Sequence, residues 1–119
     1  MTGLTTHILD LSHGQPAANV KIELYYFEPA SNERKLIRTA VTNEDGRCDA
    51  PLLSGEEVTA GSYELLFYIG EYFRNKEVVL PEPPFLEQVP VRFGISNPAS
   101  HYHVPLLVSP WGYQVYRGS

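Results

Sequence analysis

The chain has 119 residues, nine of them Lys or Arg and fourteen Asp or Glu, for a formal net charge of −5 at pH 7. That length suits a single domain, residues 1–119, and folding at this size takes roughly two-thirds of the chain's surface out of water, enough for one core without covalent staples. The acidic balance argues against nucleic acid or an anionic membrane as partner, and the lone cysteine, Cys48, excludes an internal disulfide.

The first residues, Met1-Thr2-Gly3-Leu4, lack the basic and long apolar regions of a secretion signal. No apolar run approaches a membrane span, so a soluble, cytoplasmic protein is expected. Residues 4–11 are rich in Thr, Ile and Leu and read as a strand. Ser12-His13-Gly14-Gln15-Pro16 is turn chemistry. Residues 20–25 alternate apolar and polar side chains, the period of a half-buried strand. A third strand over 36–42 is closed by Asn43-Glu44-Asp45-Gly46, a strong turn signal. A short edge strand fits within 48–53, and a good strand runs over 63–68 after Gly61. Residues 72–79 read as a short helix, ended by Pro81-Glu82-Pro83-Pro84. Strands over 85–95, 101–108 and 112–117 follow, separated by Asn97-Pro98 and Ser109-Pro110. This spacing of short strands and turns predicts an all-β antiparallel sandwich.

Strand parity then picks out the polar groups. In 101–108, Tyr102, Val104, Leu106 and Val108 make the better core face, which turns His101, His103, Pro105 and Leu107 outward. In the first strand Thr5, His7 and Leu9 share a face, and in the last Gln114, Tyr116 and Gly118 do. An outward face that mixes histidine with apolar residues suggests an interface or a binding groove. Each residue has a plainer reading. His7 fits a half-exposed strand histidine, Arg47 a solvated turn arginine, and His13 a surface residue. His101 and His103, with His7 as a third ligand, fit an open zinc site. Cys48 lies beside Arg47 but has no histidine base near it in sequence, and reads as an ordinary strand cysteine. These residues alone leave a soluble β-sandwich with an unusual histidine face.

The word order of the chain resembles a known family. Gly3-Leu4-Thr5-Thr6-His7-Ile8-Leu9-Asp10, Gly14-Gln15-Pro16-Ala17-Ala18-Asn19-Val20, Thr42-Asn43-Glu44-Asp45-Gly46-Arg47, His101-Tyr102-His103-Val104-Pro105-Leu106-Leu107 and Tyr116-Arg117-Gly118-Ser119 are similar, in order, to the signatures of the transthyretin-like 5-hydroxyisourate hydrolases. The terminal tetrapeptide distinguishes these from the hormone carrier on the same scaffold. The resemblance implies a prealbumin-like sandwich of two four-stranded sheets with one short helix. It also implies a homotetramer whose central channel holds the sites. The implied reaction is hydrolysis of 5-hydroxyisourate to 2-oxo-4-hydroxy-4-carboxy-5-ureidoimidazoline in urate degradation, by water attacking a ring carbonyl and without a cofactor. Carried onto this sequence, His7, Arg47 and His103 are the expected catalytic residues. His7, Arg47, Tyr116 and Ser119, with its terminal carboxylate, are the expected substrate-binding residues. A carrier of an apolar ligand, a zinc hydrolase and a purely structural role stand as the competing expectations.

Overall fold

The computed structural model describes residues 2–118. Among these residues nine strands form two sheets. β1 (Gly3–Asp10), β2 (Gln15–Pro16), β5 (Leu53–Ser54), β8 (His101–Ser109) and β9 (Gly112–Val115) make the first. β3 (Lys21–Phe27), β4 (Arg34–Val41), β6 (Gly61–Phe67) and β7 (Val89–Ile95) make the second. The strand order is β2-β1-β8-β9 in the first sheet, with β5 also on β1, and β4-β3-β6-β7 in the second. Among the described residues no helix is long and apolar enough to cross a membrane.

The period-2 patterns produce the packing directly. Leu4 and Ile8 of β1 and Leu106 and Val108 of β8 turn inward, to meet Ile22, Leu24, Leu65 and Phe67 from the facing sheet. Two polar residues share the inward face of β1, and both are satisfied there, as buried polar groups must be. The Thr6 hydroxyl donates to the Val104 carbonyl at 2.7 Å. Asp10, fully buried, accepts at Oδ1 from the Ser12 amide (3.0 Å), the Ser12 hydroxyl (2.6 Å) and the His13 amide (3.1 Å), and at Oδ2 from the Tyr72 hydroxyl (2.7 Å). His13 Nδ1 pairs with the same Oδ2 at 2.5 Å, so this residue is more than the surface histidine expected of it. It locks the turn after β1 onto the carboxylate.

Beyond shifts at strand ends, Gln15–Pro16, expected as turn, pairs with β1, and β5 on the same strand makes the first sheet five-stranded rather than four-stranded; three larger departures from the expected elements remain. The sandwich is not wholly antiparallel: β1 and β8 run parallel, with Thr5 opposite His103, His7 opposite Pro105 and Leu9 opposite Leu107. The helix α1 is Ile69–Asn75, three residues ahead of its expected start, because Ile69, Tyr72 and Phe73 lie on one helical stripe and are all buried. Residues 85–88 do not join β7. The Glu87 carbonyl instead accepts from the Gly70 amide at 2.9 Å, and its carboxylate takes two hydrogen bonds from Arg74, at 2.6 and 2.9 Å. That segment is spent on docking α1.

Candidate active site

The outward face of the first sheet is built row by row across its strands. Gly46 closes the turn before Arg47 with φ +74°, a region that glycine enters without a steric penalty. Its carbonyl accepts from the Ile8 amide at 2.9 Å. That bond seats Arg47 beside β1, directly opposite His7 in an isolated antiparallel bridge. His7 pairs with Pro105 on its other side. β9 pairs Leu106 with Val115, and beyond the strand His103 bridges Gly118 in the same register, which puts Tyr116 opposite Pro105. One row therefore reads Arg47, His7, Pro105, Tyr116. The next reads Thr5, His103, Gly118. Adjacent strands lie about 4.8 Å apart and same-face residues about 6.8 Å along a strand, so both imidazoles and the guanidinium fall within one small molecule's reach.

His103 is held on two edges. Thr5 Oγ1 lies 2.8 Å from its Nδ1, and the Gly118 amide donates to its backbone carbonyl at 2.7 Å. The ring leans over Gly118 so closely that a Cβ there would stand 2.9 Å from His103 Cδ2. Only a residue without a side chain fits under this ring. Thr5 Oγ1 also reaches His101 Nε2, at 3.2 Å.

Both site imidazoles are tuned toward their neutral forms. Burial, then the positive charge of Arg47, lowers the His7 pKa below its ordinary 6.5, against the pull of the Asp45 carbonyl and carboxylate. Burial again comes first for His103, followed by the charges of Arg47, His7 and His101, with the Thr5 carbonyl opposing. Burial and a nearby like charge both penalise imidazolium. Arg47 itself stays solvent-exposed and keeps a full set of donors on the face. Thr5, Thr6, Arg47, Cys48, Ala50 and Leu52 line a shallow pocket of about 110 Å³ at this edge.

The structure brings together His7, Arg47 and His103, and sets Tyr116, 53% exposed, on the same face just past the end of β9. Ser119 lies outside the described residues. Arg117 points away from the site: its guanidinium stacks over the Tyr102 ring at 4.0 Å and donates to the His101 carbonyl at 3.2 Å. Cys48 is half-buried, and burial pushes its thiol pKa up, away from a reactive thiolate. Among the described residues no three His, Cys, Asp or Glu side chains converge as metal ligands would. Thr5 and Gly118 were not expected as site residues. Parity had placed Thr5 beside His7, but its contact with His103 needs the parallel β1–β8 register, which no local pattern encodes.

This face and fold have counterparts. Residues 4–118 match the HIUase/Transthyretin family. The chain belongs to that family. It is 57% identical over 116 residues to 5-hydroxyisourate hydrolase 2 of Rhizobium meliloti (strain 1021), a match covering 98% of this chain and 95% of the relative. Among solved structures, (S)-allantoin synthase superposes with a TM-score of 0.92 at 47% identity, over 99% of this chain but only 44% of that one. Transthyretin from Sparus aurata superposes with a TM-score of 0.87 at 27% identity, over 99% of this chain and 97% of that one. The fold is thus shared between (S)-allantoin synthase and transthyretin, and fold alone does not choose between functions.

Proposed function

We propose that this chain is a hydrolase that opens the ring of 5-hydroxyisourate in purine degradation, with His7, Arg47 and His103 at the reacting centre. The observation that carries this reading is the meeting of two neutral-tuned imidazoles with an always-charged guanidinium on one sheet face. Hydrolysis of a cyclic amide needs a group to take a proton from water, a donor set for the tetrahedral oxyanion, and a proton for the leaving nitrogen. Imidazole supplies proton transfer, each such step being worth about 10²- to 10⁴-fold. Arg47 supplies fixed donors where negative charge develops. Tyr116, one row position from Pro105, offers a phenol to hydrogen-bond or stack on the planar substrate, and Ser119 completes the proposed binding set. Among the described residues no serine lies in the row, and burial keeps the neighbouring Cys48 thiol from its reactive thiolate form, which favours direct attack by water over a covalent route. A carrier of apolar ligands would have little use for this row, since such sites are mostly apolar with few polar groups.

The site also argues for assembly. Small-molecule sites usually enclose about 300 to 1,000 Å³, and the pocket beside Arg47 in one chain offers about 110 Å³. Leu9 and Leu107, both only half-buried, share the face with the histidines, an apolar surface that a second copy would cover. A homotetramer with the sites in its central channel accounts for both facts, and sedimentation at four chain masses is the expected result. We further propose a cytoplasmic location, which fractionation of the native cells tests.

The deciding experiment follows the absorbance of 5-hydroxyisourate, generated freshly by oxidising urate, with and without the protein. Decay should accelerate in proportion to protein concentration, and His103→Ala or Arg47→Ala should lose at least about 100-fold of that rate. A wild-type protein that leaves the spontaneous decay unchanged overturns the reading.

A further inference from the structure

Thr5 Oγ1 sits between two imidazoles, 2.8 Å from His103 Nδ1 and 3.2 Å from His101 Nε2. A threonine hydroxyl has one proton, so it can donate to one of these nitrogens while it accepts from the other. One observation fixes the direction. His101 Nδ1 is buried with no hydrogen-bond partner among the described residues. A proton there would be a buried N–H without an acceptor, the rarest kind of unpaired group in folded chains. His101 therefore carries its proton on Nε2 and gives it to Thr5, and Thr5 gives its hydroxyl proton to His103 Nδ1. The opposite direction would protonate His103 Nδ1, which the nearby Thr5 carbonyl also favours, but it would strand the buried N–H on His101.

We propose that Thr5 and His101 are positioning residues that hold neutral His103 as its Nε2–H tautomer, with that N–H directed at the substrate. The ring orientation agrees. With its Nδ1 edge on Thr5 and its Cδ2 edge over Gly118, His103 leaves Nε2 as the nitrogen facing off the sheet. The inference rests on the hydrolase reading for its chemical meaning, and it divides that chemistry between the two imidazoles. A neutral imidazole presenting N–H is a hydrogen-bond donor rather than a base, so His103 joins Arg47 in stabilising the oxyanion. His7, bridged to Arg47 across the row, is then the imidazole left to take the water proton. The water oxygen bonds the ring carbonyl carbon as that proton passes to His7. The carbon–nitrogen bond then breaks, and His7 returns the proton to the leaving nitrogen.

The test is the pattern of nitrogen-15 shifts of the histidine rings in the substrate-free protein at pH 8, assigned with His101→Phe and His103→Asn. The expected spectrum shows His103 with a protonated Nε2 and a bare Nδ1. Thr5→Val should release this preference and lower kcat by about tenfold with little change in KM, and Thr5→Ser should restore both. A wild-type His103 protonated on Nδ1 overturns the proposal, as does a Thr5→Val protein with unchanged tautomer and kcat. The wild-type spectrum decides even if Thr5→Val does not fold. It needs no substrate, so it stands or falls separately from the assignment of 5-hydroxyisourate.

Discussion

At the scale of single residues, the site is shaped as much by what is missing as by what is present. Gly118 has no unusual backbone angle to explain it; its role is to leave room for the His103 ring. A methyl group there would come within 2.9 Å of Cδ2, tighter than real contacts allow, so the ring must turn or the tail must lift. Gly118→Ala is therefore expected to lower kcat by about 10- to 100-fold, the scale of an ångström-sized misplacement of a reacting group. The melting temperature should change little, because Gly118 lies outside the core. Kinetics and thermal melting on one preparation check this, and an Ala variant with normal kcat removes the packing argument. The residue types of the site were legible in the sequence: strand parity put His7, His103 and Tyr116 on outward faces, and the structure keeps them there. Their company was not. Thr5 and Arg47 reach the histidines across strand pairings that join residues 98 apart or a turn and a strand, and such long-range register leaves no local trace.

At the scale of elements, the junction of β1, its following turn and α1 is tied by one carboxylate. Burial alone would raise the Asp10 pKa, but hydrogen bonds from Ser12, Tyr72 and His13 outweigh it and hold the group below its ordinary 3.8. The sign follows from that direction. A carboxyl whose folded pKa is depressed stabilises the fold fully above its unfolded value, and this contribution is lost as pH falls through the folded value. Asp10→Asn should cost about 2 kcal/mol near neutral pH, since charge-assisted bonds to a buried carboxylate are replaced by weaker ones. The gap in melting temperature between wild type and variant should then narrow below about pH 4. A gap that is constant with pH would mean that the cost is steric rather than electrostatic. The sequence hid this element. Asp10 ends an alternating strand and His13 sits in a turn, so each read as local chemistry. Its partner Tyr72 lies on a helix whose start was obscured, because Tyr68 and Ile69 continue the β-rich run of β6.

At the scale of the whole molecule, a pH profile tests the site and the assembly together. His7 and His103 must be neutral for the proposed chemistry, and burial with the Arg47 charge lowers both pKa values below 6.5 in the single chain. The acid limb of kcat/KM should therefore fall below pH 6.5, and activity should hold through mildly acidic conditions where an unperturbed histidine would already be protonated. The proposed assembly would remove more water from the same rings and add to desolvation, which would push the limb further in the same direction. Leu107→Glu separates the two contributions. Leu107 is half-buried on the histidine face, opposite Leu9, so a carboxylate there opposes apolar docking while leaving the inward core of β8 intact. The variant should keep its circular dichroism spectrum, sediment below the wild-type mass and lose most activity. Its remaining turnover should show an acid limb moved toward higher pH, because its imidazoles regain water and gain a negative neighbour. A variant that keeps wild-type mass and the wild-type limb would mean that this face is not where copies meet, and that the tuning of both histidines is complete within one chain.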